Sequence, residues 1–472
     1  MSTRARVSQM ETLEARGGNT LLILVGLGVA FLLIVALLGA AKAGGSLLTE
    51  SNLLYGTLIF YAGAGALYMG FGVTGVERYV KFASIATILG FLANTGAVAH
   101  RWHMAGRPPF ASIYEMLLSF VWTVAALTLL AEKRFGVKII GSITMPLAVV
   151  SVILMQLLPS EVRPLVPALQ STWLHVHVTL AMLSYAACAV SFALAMMFLI
   201  QDNFRTESFL GWTSALVSAI YIAILATRFE KWGGLSVTAW DAQQKSDMFL
   251  GRGMRLFVTV PDLGWLFVIA GLGAVVPLAL YLLGRLRQAD SFFGIANKAV
   301  FIGTLLQVVV LAAFVLRVRD ASYPSPDQDG LFPTSLAASP FLLGGMVTGI
   351  FASLLYLMLL WRRGDLEHLL PSADTLDRVT YKTICIAFPL LTGMIAAGAY
   401  WANRTWGAYW SWDPKETWAA ITWLVYAGYL HMRITRGWRG RRAAYFAILG
   451  FGVVIFTFLG VTYLLPGLHA YA

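Results

Sequence analysis

Trp406-Gly407-Ala408-Tyr409-Trp410-Ser411-Trp412-Asp413-Pro414-Lys415-Glu416-Thr417-Trp418 lies between two apolar stretches, each long enough to cross a membrane. It holds four of the chain's 15 tryptophans in 13 residues, and Trp401 and Trp423 raise the local total to six within 23 residues. Apolar helices pack well on Leu, Val and Ile, so this much indole at one membrane edge points to a platform for a large, flat, apolar ligand. An interfacial aromatic belt is the plain alternative. The interruption of the cluster by glycine and by charge favours the ligand surface.

The rest of the chain has the composition of a polytopic, all-α integral membrane protein, with 58% hydrophobic and 12% charged residues among 472. Apolar runs near the ~20 residues that cross a bilayer fall at about 20–42, 51–72, 81–99, 111–131, 139–158, 172–200, 208–227, 263–284, 297–316, 339–361, 383–400, 416–433 and 443–464. These make thirteen expected transmembrane helices. With the N-terminus inside and the C-terminus outside, 21 of the 34 basic residues fall in or beside internal loops, as the retention of Lys and Arg in short cytoplasmic loops requires. The net charge of +11 is therefore chiefly a topology signal. No basic array with interleaved aromatics indicates a nucleic-acid partner. The first apolar run is too long for a cleavable secretory signal.

Cys188 and Cys385 both fall inside expected spans. They offer no disulfide framework, metal cluster or Cys-x-x-Cys-His haem attachment site, so the chain is not itself a c-type cytochrome. Residues 228–262 and 318–338 are polar and external on this topology. They read as connecting loops, with a partner-docking surface as the second reading.

Seven histidines are few enough to place one by one. His177 opens the sixth span and His469 follows the thirteenth, both on the side of the tryptophan segment. A six-coordinate haem takes two imidazoles on opposite faces of the porphyrin and stable apolar walls around the macrocycle, and two histidines flanking a tryptophan platform meet that need. His431 lies about 27 Å along the helix from Asp413, at 1.5 Å per residue. That distance places it at the inner end of the twelfth span, where it is either a ligand at a second, deeper haem position or an interfacial residue. His175 points to a different helix face from His177, so one of the two is expected to bind iron. His100 and His103, flanking Arg101-Trp102 in an expected external loop, remain open as ligands, and His368 reads as solvated. Asp413-Pro414-Lys415-Glu416 has the pattern of a capping box starting the twelfth helix. Arg404 and Lys415, at the two ends of the segment, are placed to meet haem propionates.

The segment quoted above, followed by Tyr429-Leu430-His431, resembles the tryptophan-rich "WWD" signature of the CcsA/ResC proteins of the System II cytochrome c biogenesis pathway. The resemblance extends to Leu376-Asp377-Arg378, Gly393, Trp401-Ala402-Asn403, Gly467-Leu468-His469, His177-Val178-Thr179, Leu183-Ser184-Tyr185-Ala186 and Ser112-Ile113-Tyr114-Glu115-Met116-Leu117. It implies a loop holding haem b as substrate on the periplasmic or extracellular face of a bacterial plasma membrane. On this reading Trp401, Arg404, Trp406, Tyr409, Trp410, Trp412, Asp413, Lys415 and Trp418 contact the haem, with His177 and His469 as axial ligands. It also implies that His431 pairs with a histidine of a CcsB/ResB-like membrane partner. Haem then passes outward, and the thiols of an apocytochrome c Cys-x-x-Cys-His motif add to its vinyl groups. Catalysis of this kind is positioning, and no side chain is assigned as acid or base.

Residues 51–200 and 362–472 carry the resemblance as two parts of one core. Residues 201–361 read as an inserted segment of about four helices with two external loops, and 1–50 as a cytoplasmic N-terminus with an extra first helix. The stretch Gly106-Arg107-Pro108-Pro109-Phe110 departs from the Gly-His-Phe-Pro form expected of the family, and no ligand role is carried onto it. The alternatives are a haem transporter or chaperone without ligase activity, a System I CcmF-like protein, and a b-type electron-transfer or quinone-binding subunit.

Overall fold

A computed structural model describes residues 49–465, apart from 157, 159, 163, 164, 166, 203–205, 241–254, 320, 326–329 and 335–339. The expected helix at 20–42 and the ligand candidate His469 lie outside the described residues. The protein is an all-α polytopic membrane protein, with nine helices among the described residues long and apolar enough to cross a bilayer.

Among the described residues twelve helices follow one another: α1 (Glu50–Thr74), α2 (Glu77–Ala105), α3 (Ile113–Phe135), α4 (Gly141–Gln156), α5 (Thr172–Gln201), α6 (Thr206–Arg228), α7 (Leu263–Arg287), α8 (Asp290–Val318), α9 (Pro340–Leu369), α10 (Ala373–Trp406), α11 (Pro414–Thr435) and α12 (Arg441–Ile455). Beyond α12 the chain widens into a π-helical turn, Phe456–Gly460, before a last helical turn, Val461–Leu464. At 16 residues, α4 spans only ~24 Å at 1.5 Å per residue. α11 is 22 residues long but carries Lys415, Glu416 and Arg433 in its end turns.

Several helix starts are written in the sequence as caps. Ser112, Ser171, Ser372 and Asp413 each accept a backbone N–H of the first turn of α3, α5, α10 and α11, satisfying donors that helix geometry leaves unpaired. At the other end, Gly407 adopts φ 78° and closes α10, a conformation that glycine reaches without Cβ strain.

Two hydrophobic cores organise these helices. The larger is built mainly from α1–α5 and α10–α12, and within it α5 and α10 pack along much of their lengths. Hydrocarbon offers helices no solvent-driven reason to associate, so close approach at small residues matters more here than it would in water.

The smaller core is built from α6–α9 and two short antiparallel hairpins. In these, β1 (Leu235–Trp240) pairs with β2 (Arg255–Val260), and β3 (Ser322–Pro324) with β4 (Leu331–Pro333). Residues 228–262 and 318–338, expected to be connecting loops, therefore contain strands. Period-two alternation buries Leu235, Val237 and Ala239 on one face, where they join Leu263, Phe267 and Val318.

Candidate haem cleft

A cleft with about 1080 Å³ of atom-free space, its open mouth included, lies between α5, α10, the start of α11 and the π turn. Its walls are mostly apolar, with Phe110, Met116, Tyr185, Trp401 and Phe458 among the larger side chains. His177, Tyr409, Trp410, Lys415 and Glu416 bring polar atoms to it.

His177 reaches the cleft from the second turn of α5, half-buried. Its Nδ1 lies 2.7 Å from the Met394 carbonyl oxygen of α10. A carbonyl only accepts, so Nδ1 carries the proton and donates, and Nε2 is the ring nitrogen with the lone pair. Metal-binding histidines are commonly oriented by such a bond. The ring stacks at 28° on Trp401, centroids 6.2 Å apart, and Trp401 is only 2% exposed. Gly398 makes this approach possible, since a Cβ there would lie 2.7 Å from His177 Nδ1.

Of the other expected site residues, Tyr409, Trp410 and Lys415 line the cleft beside His177 and Trp401. Trp406 stands against Trp401, centroids 5.1 Å apart, and Trp418 against Phe456, at 4.4 Å. Trp412 is exposed and meets Trp410 edge-on at 5.8 Å. Arg404 is exposed and donates to Tyr400 Oη at 2.9 Å. Of the two expected cations, then, Lys415 faces the cleft.

The helix-start pattern at Asp413 takes a form of its own. Asp413 caps α11, accepting from Lys415 N–H at 2.9 Å, with Pro414 at the first helical position. Glu416 reaches past the cap to accept from Ser411 N–H at 2.8 Å and Ser411 Oγ at 3.0 Å. Trp412, at φ 58°, turns the chain so that the Ser411 N–H is the donor within reach. This left-handed backbone at a bulky residue stores strain. Asp413→Ala is expected to cost about 1 kcal/mol through loss of the cap. Thermal unfolding in detergent measures this, and a loss several times larger would mean that Asp413 does more than cap.

His431 is exposed near the C-terminal end of α11. Two residues on, Arg433 makes a bidentate ion pair with Asp377 of α10, both bonds 2.7 Å, and Asp377 also accepts from Gly440 N–H at 3.1 Å. The Leu376-Asp377-Arg378 stretch thus anchors the helix end that carries His431.

His100 and His103 do not lie in a loop: they occupy the last turns of α2, which continues to Ala105 because helix-compatible residues persist until Gly106. His175 packs near Phe110, ring centroids 6.1 Å apart, on a face of α5 different from that of His177.

Composition alone did not point to Phe110, Tyr185, Met394 or Gly398, which tertiary packing brings to the cleft. The π turn contributes Thr457 and Phe458. Thr457 Oγ1 lies 2.8 Å from Thr422 Oγ1 and 3.2 Å from the Trp418 carbonyl oxygen, placing the turn against α11. Such turns recur at functional sites.

Residues 110–274 and 335–469 match a family model described as cytochrome c assembly protein, with 275–334 between the matched ranges. A protein of Synechococcus elongatus named cytochrome c biogenesis protein CcsA is 34% identical over 384 residues, covering 80% of this chain and 84% of that protein. Proteins of the same name from Picosynechococcus and Rippkaea orientalis are each 33% identical. They cover 90% of this chain and 95% of the relative in the first case, and 89% and 94% in the second.

Proposed function

The chain belongs to the cytochrome c assembly family and acts in cytochrome c biogenesis, and we propose that it does so by carrying haem b to the outer face and presenting it there for attachment to apocytochrome c. One observation carries this reading: a histidine with a defined tautomer, His177, stacked on a buried tryptophan in an apolar cleft. His177 binds iron from one side and His469 from the other, Trp401 and Trp410 form the walls, and Lys415 meets a propionate. Trp406 and Trp418 support these walls from behind. Tyr409, Trp412 and Arg404 stand toward the mouth, where an acceptor protein arrives.

Haem is the substrate. The thiols of an acceptor Cys-x-x-Cys-His motif add across its vinyl groups, and the chain's contribution is to fix the vinyl edge while keeping the macrocycle out of water. His431, exposed on the anchored end of α11, serves an inner position shared with a CcsB/ResB-like membrane partner. Residues 51–200 and 362–472 form the haem-handling core and 201–361 a second unit, which has a hydrophobic core of its own and also sends Phe209, Leu210, Ala296, Val300 and Tyr356 into the larger one. The cleft faces the periplasmic or extracellular side of a bacterial plasma membrane.

The test is to purify the chain with and without its partner and supply reduced apocytochrome c. Thioether-linked product formed only by the pair is expected; haem binding with no product would leave a transporter or chaperone. Gly398→Ala supplies an independent check. The added methyl displaces the His177 ring, so bound haem per protein is expected to fall by about 10-fold or more, as when an outer-shell orienting contact is lost. Gly393→Ala, whose Cβ would meet only the flexible Leu180 Cδ1 at 3.3 Å, is expected to retain haem.

A further inference from the structure

The smaller core carries a feature that its role as a packing unit leaves unexplained. Four side-chain polar atoms from two of its helices, Ser214 Oγ, Ser218 Oγ and Tyr221 Oη of α6 and Gln307 Oε1 of α8, are buried without a hydrogen-bond partner. All four residues are at most 3% exposed. Ser214, Ser218 and Tyr221 recur at helical spacing on one face of α6. Gln307 approaches from α8 and donates through Nε2 to Ser353 Oγ of α9 at 3.4 Å. Gln307 and Tyr221 meet at Gly349 of α9, where an added Cβ would lie 3.0 Å from Gln307 Oε1 and 3.8 Å from Tyr221 Cε2, and Ser214 and Ser218 lie on the Tyr221 face of α6.

The serines stand out among the hydroxyls of this bundle. Thr304 and Thr227 return their hydroxyls to their own helix backbone, to Val300 O and Ala223 O, each at 2.7 Å. Ser214 and Ser218 forgo that acceptor. A polar side chain in a membrane interior is costly unless it meets another polar group, and an orphaned acceptor beside a phenol, with two unpaired hydroxyls on the same face of the phenol's helix, points to a polar ligand. The cluster is neutral, and among the described residues no group of three or more His, Cys, Asp or Glu could hold a metal ion. The chemistry that satisfies donors and acceptors alike without charge is that of water, which typically makes about three hydrogen bonds when buried.

We propose that α6, α8 and α9 enclose a hydrated site in which water bridges Ser214, Ser218, Tyr221 and Gln307, with Ser353 holding the Gln307 amide. Gly349 keeps the third helix from filling it.

Hydroxyl-radical labelling of the full chain in lipid nanodiscs, read residue by residue by mass spectrometry, tests this, because radicals generated from bound water modify the side chains they touch. Tyr356 is the internal reference: it is 1% exposed and its hydroxyl donates to Asn297 Oδ1 at 2.6 Å. Tyr221 is expected to be labelled several-fold faster than Tyr356, and equal rates would overturn the proposal. In Gln307→Leu, with an unchanged elution profile, Tyr221 labelling is expected to drop toward that of Tyr356. Retention of the fast rate in that variant would show that Gln307 does not line the site and would overturn the assignment. Gly349→Ala, which brings a methyl against the Gln307 amide, serves the same purpose if Gln307→Leu does not fold.

Discussion

Alanine at position 177 is expected to strip the chain of the haem proposed for its cleft. Outer-shell partners of a metal site typically contribute 10–100-fold in affinity, so loss of the ligating imidazole should weaken binding by at least about 100-fold. The readout is the Soret band per protein after purification. The surroundings of His177 make the experiment specific. Trp401, the Met394 carbonyl and the small Gly398 remain in place when the imidazole is cut back, so the variant keeps its walls and loses a ligand. Exogenous imidazole should then restore the band. His175→Ala, on another face of the same helix, is expected to leave it unchanged. Wild-type haem content in His177→Ala would sink the axial assignment.

The largest effect on stability is expected at Arg101, on the outer edge of the larger core. Its guanidinium is 2% exposed and lies 3.1 Å from Glu115, itself 1% exposed. It also donates to the Ser160 and Glu161 carbonyls and stands 3.5 Å from Glu50. Glu115 in turn accepts from Arg107 at 2.8 Å and from Ala111 N–H at 2.8 Å, so this network sets the loop that delivers Phe110 to the cleft. Cutting one partner from a buried ion pair typically costs about 3–5 kcal/mol, because the other charge stays buried. Arg101→Ala should destabilise by that amount in thermal unfolding. Lys138→Ala, which breaks an exposed pair with Glu77, should cost no more than about 1 kcal/mol. Equal effects from the two variants would show that the buried network contributes nothing beyond a surface pair.

Much of this architecture was legible because its causes are local. The apolar runs announced the helices, and Asp413-Pro414 announced the start of α11. The helix ends were harder where polar residues continue a helix past its apolar run: α2 reaches Ala105 through His100, Arg101 and His103, none of which breaks a helix. The strands at Leu235–Trp240 and Arg255–Val260 were hidden because their buried face is defined only by the elements that pack against it in the smaller core. Within the tryptophan segment, the sequence could state that an aromatic wall existed but not which rings face inward. That division follows from the left-handed backbone at Trp412 and from the burial of Trp401 between two long helices, and both are products of tertiary packing.

The π turn at Phe456–Gly460 carries a consequence for the course of the last helix. A π turn accommodates one extra residue, and each residue of an α-helix turns the chain by about 100°. Everything after Gly460 is therefore out of phase with Arg441–Ile455 by about one residue. The chain leaving Leu464 departs from a different side of the helix than an uninterrupted α12 would offer. Deleting a single residue within 456–460 would restore the regular ladder and leave the preceding helix almost untouched, while redirecting the exit of the C-terminal segment. In this helix a one-residue change of length acts as a change of bearing.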